Sequence, residues 1–514
     1  MAFASVVLFS LVWIAISYFV CNFRRLVSIK MINSLPGPKA LPLVGSAFYF
    51  LLKNPDEILF SLLKLVKNYS SPFQVWIGNK LFIGIYEPDQ IKTVLQNRHC
   101  LNKGVLYKFI ESVLGKTSLL TVPASIWTKN RKISAPSFNT NMLRGFFDIF
   151  VEQSLIFADR LEKIGLKERE IELFEPISLC TMTIACNTIL GVNLDSQSDI
   201  IRQCCEIIMS CKRSLSYRFK NIFLYSNIIF NLTAFGRKQQ ESLTCFYSFV
   251  DEMIQQRQYS LNKSNTAETN NKNKITHKAF CDILLKASHK EKLTQEDIHD
   301  NVITMLVASA DTTAITINFA VFIFANFPEI QEKAYKELLE IYGMETPRSV
   351  PVKYEDLQHM DYLDRVIKET LRLFPIVPVI ARQLTEDIKM GKIILPKGAD
   401  VVVALGKVHR NKRYWPNPLV FDPDRFLPER LENSDCQSSY YYMPFSNGPR
   451  NCIGMKYAMI SIKVILATLI RTFVFKVDES IGIDKIKLKL EVLLSPIEPL
   501  KVKIEKRNFL SERI

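Results

Sequence analysis

Hydrophobic and polar positions divide the chain into unlike stretches. Residues 1 to 23 (MAFASVVLFSLVWIAISYFVCNF) carry no charged side chain. About 20 such residues in a helix cross a hydrocarbon core of roughly 30 Å, so the pattern predicts a transmembrane anchor. A cleaved signal peptide would have a basic n-region, a small-residue cleavage motif and a shorter apolar run. Arg24, Arg25 and Lys30 follow the span, and the positive-inside rule then places residue 24 onward in the cytosol, with the sequons at Asn68, Asn231 and Asn262 unused. LPGPKALPLVG (35 to 45) holds three prolines and two glycines and reads as a stiff, extended spacer. FQVWIGNKLFIGIY (73 to 86) predicts two strands around Gly78-Asn79, after which Pro88-Asp89 opens a short helix.

From about residue 100 helical periodicity dominates. Thr294 and Asp297 form a capping box ahead of an apolar-rich pattern that runs to about Phe327, and Pro328 starts a further helix ending near Gly343. A helix of some 30 residues would cross a whole domain. The Asn- and Lys-rich window 262 to 278 predicts a solvated loop. The domain plan is therefore an anchor (1–23), a basic and proline-rich linker (24–45) and one catalytic domain (46–514).

Composition narrows this. With 48% hydrophobic and 23% charged residues in 514, the chain is globular with a large core. Its net charge of +15 fits nucleic acid, a membrane surface or an acidic partner, and the anchor argues against nucleic acid. Eleven cysteines, an odd number without paired CxxC spacing, fit reduced thiols rather than a disulfide framework or a zinc site.

Four motifs carry chemistry. In Phe445-Ser446-Asn447-Gly448-Pro449-Arg450-Asn451-Cys452-Ile453-Gly454, the glycines allow a tight turn and close approach to a flat ligand. The helical pattern that follows puts the Cys452 sulfur at a helix N-terminus, where dipole and metal favour thiolate. Glu369 and Arg372 share a helix face ending before Pro375, a pattern that taken alone better suits a solvated surface ion pair. Ala308-Ser309-Ala310-Asp311-Thr312-Thr313 lies inside the long helix, where Thr312 can bond a carbonyl one turn back or a water and Asp311 can relay protons. Trp127 and Arg131 are i,i+4 neighbours, and Arg382 and Arg450 are further cations able to meet an anionic cofactor.

Taken together these segments resemble the cytochrome P-450 superfamily of the microsomal eukaryotic type, over residues 35 to 505. The details AFCDILL and DPDRFLPER look most like the family 4 group of fatty-acid hydroxylases and their insect relatives. The resemblance implies a mainly α fold with a smaller β region, plus one N-terminal transmembrane helix. It implies non-covalent haem b with Cys452 as the iron ligand in a loop shaped by Phe445, Gly448 and Gly454. Propionate contacts would come from Trp127, Arg131, Arg382 and Arg450, with Asp311 and Thr312 catalytic. Glu369, Arg372 and Arg425, the last in PDRF (423–426), would form a structural charge network.

It further implies a monooxygenase of the endoplasmic reticulum membrane, its catalytic domain cytosolic, acting on a fatty acid, terpenoid, odorant or xenobiotic. NADPH-cytochrome reductase would supply electrons, with cytochrome b5 a further candidate, and Lys129, Lys132 and Lys456 would offer a docking surface. Two rivals remain: an O2-independent haem-thiolate isomerase or dehydratase, which intact Asp311-Thr312 argues against, and a non-catalytic membrane-bound lipophile binder. Two departures stand out. Ala308 replaces the glutamate that many family 4 members esterify to a haem methyl, so the haem should be untethered. Ser309 replaces the usual glycine, which predicts a narrower or more polar groove for oxygen and substrate.

Overall fold

The computed structural model describes residues 35–507 except 42–43, 52–56, 167–168, 195–197, 267–277 and 433–438. The expected anchor, the basic part of the linker and Cys436 lie outside the described residues. The rest is mainly helical with a smaller strand part, the architecture the resemblance implied. Six helices carry the argument: α1 (Ala124–Ser134), α2 (Phe174–Ala185), α3 (Asp199–Lys220), α4 (Gln295–Asn326), α5 (Asp361–Leu373) and α6 (Met455–Thr472).

Helix α4 begins where the capping box places it. Asp297 N–H donates to Thr294 Oγ1 at 3.0 Å and Thr294 N–H donates to Asp297 Oδ2 at 2.9 Å, so two orphan amides are satisfied at once. It stops at Phe327 because Pro328 is pre-set to open the next helix, Pro328–Tyr342. Its 32 residues span about 48 Å at 1.5 Å each. The helix is long and apolar enough to cross a membrane, yet 72% of its most apolar window is buried within the protein, which makes it the core helix. It packs on α2 along one side and on α6 along another, and Phe319 stacks on Phe374 at the end of α5 with centroids 4.4 Å apart.

A five-stranded sheet runs Phe73–Ile77, Lys80–Ile85, Asp400–Val403, Ile380–Gln383, Asn102–Lys103 in spatial order. The expected hairpin is its edge: Ile77 faces Lys80 across Gly78, whose φ of +60° favours glycine. The strands at 380–383 and 400–403 are four residues each, too short for alternation to announce them. At the far edge Lys103 pairs in register with Arg382, and this places two cations side by side.

Two local readings shift. The proline segment lies along the hairpin rather than standing free: Gln74 N–H donates to Pro36 O at 2.8 Å, and a Cβ on Gly37 would come within 2.1 Å of Gln74 O. The helix Ala234–Thr266 also takes in the first five residues of the window expected to be a loop. These residues continue the backbone of a helix already nucleated upstream.

Candidate active site

The cysteine loop is folded on its own backbone. Cys452 N–H donates to Phe445 O at 2.9 Å and Asn451 N–H to Gly448 O at 3.1 Å. Gly448 has φ +76°, and a Cβ there would stand 2.2 Å from Leu95 O, so glycine is required. Gly454 differs from expectation: its φ is −88°, without a tight turn, and a Cβ there would meet only Cys452 Sγ, at 3.9 Å. Its glycine keeps the face of the sulfur clear. Among the nine described cysteines only Cys245 and Cys452 are exposed. Although the Cys452 side chain is solvent-accessible, desolvation by the surrounding protein pushes its thiol up, against the Gly454 N–H, Arg131 and Lys103, which pull it down. The helix terminus is therefore outweighed by desolvation in the protein alone.

Around the loop stand four cations: Lys103, Arg131, Arg382 and Arg450. Arg131 donates from Nη1 to Asn451 O and from Nη2 to Asn451 Oδ1, both at 3.0 Å, which ties α1 to the residue before the cysteine. Arg450 donates to Leu101 O at 3.0 Å and Val122 O at 2.7 Å, stacks over the buried Trp127 ring at 4.9 Å, and leaves a buried Nε without a partner. Arg382, 2% exposed, bonds only the adjoining Ala381 O, at 3.1 Å. None of the four is paired with a carboxylate among the described residues. Burial pushes Arg382 down; burial and then Arg382 push Arg450 down to about 10. Lys103 is held well below the usual lysine range by burial, then by Arg382 and Arg450.

Lys103 and Tyr107 were not singled out from the sequence. Lys103 lies over the Tyr107 ring at 4.8 Å, and burial raises the Tyr107 phenol against the pull of Arg382 and Arg450. In LNKGVLYK they look like an ordinary turn, and only the pairing of 102–103 with 382–383 brings them here.

The Glu369 network forms as expected. Arg372 Nε and Nη2 bond the two Glu369 oxygens at 2.6 and 2.8 Å, and both side chains are fully buried. Asp422 N–H donates to Glu369 Oε1 at 3.0 Å, and Arg425 Nε stands 3.3 Å from the same oxygen. The remaining Arg372 edge donates to His409 O at 2.7 Å.

In α4, Thr312 Oγ1 donates to Ala308 O at 2.7 Å, the carbonyl one turn back. Ala308 is exposed, between partly buried Val307 and Ser309, in a helix that is buried on either side over 300–306 and 313–326. Asp311 accepts from Lys212 Nζ of α3 at 2.6 Å, a largely buried pair that a separation of 99 positions hides in the sequence. The Ser309 hydroxyl donates to Leu306 O at 3.2 Å, within α4.

No cluster of three His, Cys, Asp or Glu side chains among the described residues could hold a bare metal ion. Haem fits the residues present: one exposed thiol, a cleared face at Gly454, and unneutralised cations with an orphaned Arg450 Nε suited to two carboxylates.

The family model described as Cytochrome P450 matches residues 35–504. The chain is 34% identical over 484 residues to "Cytochrome P450 4c21" of Blattella germanica, covering 93% of this chain and 94% of that protein. It is 33% identical over 494 residues to "Cytochrome P450 4V2" of Mus musculus (93% and 91%), and 32% identical over 520 residues to "Cytochrome P450 4c3" of Drosophila melanogaster (98% and 95%).

Proposed function

The chain belongs to the cytochrome P450 family, as a haem monooxygenase, and we propose that it inserts one atom of O2 into a lipophilic substrate while anchored in the endoplasmic reticulum membrane. The substrate class is a fatty acid, terpenoid, odorant or xenobiotic, and electrons come from NADPH through a cytochrome reductase, with cytochrome b5 a further donor. The observation that carries this reading is the exposed Cys452 thiol ringed by cations that have no carboxylate of their own.

Bound haem supplies O2 activation, which a thiolate ligand promotes by pushing electron density toward O–O cleavage. The protein's residues do the rest. Cys452 ligates, and Phe445, Gly448 and Gly454 hold the loop open to a flat ring. Trp127, Arg131, Arg382 and Arg450, joined by Lys103, hold the carboxylates. Thr312 holds a proton at Oγ1, releasable from Ala308 O to a water, and Asp311 with Lys212 feeds protons from the α3 side. Glu369, Arg372 and Arg425 fix the support beneath the loop. Ala308 offers no nucleophile, so the haem is untethered and extracts fully into acidic organic solvent.

Exposed Lys129, Lys132 and Lys456 flank the cysteine loop and suit an acidic redox partner. Phe223, Ile228, Leu232 and Phe235, all exposed within one short segment, suit a lipid surface. Asn68, Asn231 and Asn262 are exposed, so their freedom from glycan would reflect a cytosolic location.

The test is product analysis with purified protein, reductase, NADPH, isotopically labelled O2 and a panel of lipophiles. One labelled oxygen per product supports the reading. Turnover without O2 and NADPH would make the protein an isomerase or dehydratase, and NADPH use indifferent to every lipophile would make it a binder. Thr312→Ala should keep haem and divert NADPH electrons into peroxide.

A further inference from the structure

The strand Asn102–Lys103 is only two residues long, yet several parts of the cation cluster converge on it. Its register aligns Lys103 with Arg382 and Val401 in one row, and Asn102 with Gln383 and Asp400 in the next. Successive strand residues point to opposite faces, so Asn102 and Asp400 lie on the face away from Lys103 and Arg382. Each offers an acceptor there, and each acceptor holds an amide of a neighbouring element. Helix α1 follows Pro123, which supplies no side-chain cap. Its orphan Ala124 N–H donates instead to Asn102 Oδ1 at 2.9 Å. Asp400 is fully buried, and its Oδ1 accepts from Val105 N–H at 2.9 Å, in the turn that leads from the strand into the helix Tyr107–Leu114. That turn closes down tightly: a Cβ on Gly104 would stand 2.6 Å from Ala381 Cβ and 3.0 Å from Asp400 Oδ1. Arg450 spans the same junction from the cysteine loop, bonding Leu101 O beside Asn102 and Val122 O beside Pro123.

We propose that Asn102 and Asp400 are positioning residues for the carboxylate cradle. Asn102 sets α1, with Trp127 and Arg131, against the strand that carries Lys103, and Asp400 sets the turn that brings the Tyr107 ring back onto Lys103. The proposal rests on the reading that these cations hold the carboxylates of haem. Like charges repel, so the cluster keeps its shape only if the backbone it projects from is fixed. Arg450 can bond both of its carbonyls only while 101–102 and 122–124 run side by side, and the Asn102 bond to Ala124 joins those two segments. An acceptor that merely satisfied its own amide would leave haem contacts unaffected.

The experiment compares Asn102→Leu with Asn102→Asp, and Asp400→Leu with Asp400→Asn, in the full haem-loaded chain. It reads haem transfer to apo-globin and amide exchange at Val105 and Ala124. Asn102→Asp keeps an acceptor of the same reach, and Asn102 Nδ2 has no partner to lose among the described residues. Asp400→Asn keeps Oδ1 and gives up the Lys80 contact at 3.7 Å. Each leucine variant should speed haem transfer, and exchange of the amide it releases, about threefold to tenfold, as the loss of one neutral hydrogen bond implies. Each conservative variant should stay within about twofold of the unsubstituted chain.

Leucine variants that free the amide but hold haem as before overturn the proposal, as do conservative variants that lose haem as fast as the leucine ones. Arg382→Leu, which removes a cation outright, separates this failure from that of the underlying reading. If Arg382→Leu leaves haem transfer unchanged, the cations do not hold the carboxylates and both ideas fall. If it speeds transfer while the leucine variants do not, positioning alone fails. Should Asp400→Leu not yield folded protein, the pair at half-buried Asn102 decides.

Discussion

Two buried charge clusters support the cysteine loop, and they are built on opposite principles. In the Glu369 cluster one carboxylate accepts from Arg372 and a backbone amide and stands 3.3 Å from Arg425 Nε, and Arg372 spends its remaining edge on His409 O. In the Lys103, Arg131, Arg382 and Arg450 cluster four cations have carbonyl and amide oxygens and the Tyr107 and Trp127 rings for company, and no carboxylate among the described residues. Burial is similar, so burial alone does not separate support from binding. Charge balance does. A cluster that holds its own carboxylate suits a scaffold, whereas cations without a carboxylate among the described residues suit an anion from elsewhere.

Glu369→Ala should break the comparison hardest. It leaves two guanidiniums without their carboxylate and should cost about 3 to 5 kcal/mol in denaturant unfolding, with or without haem. A loss under about 1 kcal/mol, within the range of an exposed pair, would mean that the network is not the support.

Arg382→Leu should behave in the opposite sense. Its side chain's only hydrogen bond among the described residues is to the adjoining Ala381 O, and its charge repels Lys103 and Arg450. The haem-free protein should be no less stable, while haem transfers to a scavenging apo-globin about 10- to 100-fold faster, for a lost charged contact of about 1.5 to 3 kcal/mol. Destabilised apoprotein with unchanged haem retention would erase the distinction between the clusters.

The smallest effect is a pH slope at His409. Burial, then Arg372 and Arg410, push this imidazole down from 6.5 to about 3, and its Nε2 accepts from Met443 N–H at 2.9 Å. Its folded pKa lies below the unfolded one, so between these values the unfolded chain holds the extra proton. Stability therefore falls as pH drops below about 6.5, approaching 1.4 kcal/mol per pH unit. His409→Gln, whose amide oxygen can still accept from Met443, should flatten the slope between pH 6.5 and 5; an unchanged slope would assign it to other groups.

The clusters also differ in how far the sequence announces them. Glu369 and Arg372 are three residues apart on one helix, and the Cys452 loop is ten consecutive residues, so local spacing carries both. The Thr294 capping box is equally local, and the long helix begins at it. Lys103 becomes a site residue only through its pairing with Arg382, 279 positions later, across strands too short to read from alternation. Asp311 was visible as an acid, whereas its Lys212 partner depends on how α3 crosses α4. Short-range chemistry is written in the chain; complementarity between segments is written in their packing.

The claim at the centre is that Cys452 is the thiolate ligand of a haem held by the unbalanced cations. The most direct measurement is the absorption spectrum of the reduced protein with carbon monoxide, for the unsubstituted chain, Cys452→Ser and Cys245→Ser, the last removing the other exposed thiol among the described residues. The long-wavelength Soret band that thiolate ligation gives should appear in the unsubstituted chain and in Cys245→Ser and vanish in Cys452→Ser. A band that survives Cys452→Ser would contradict the account.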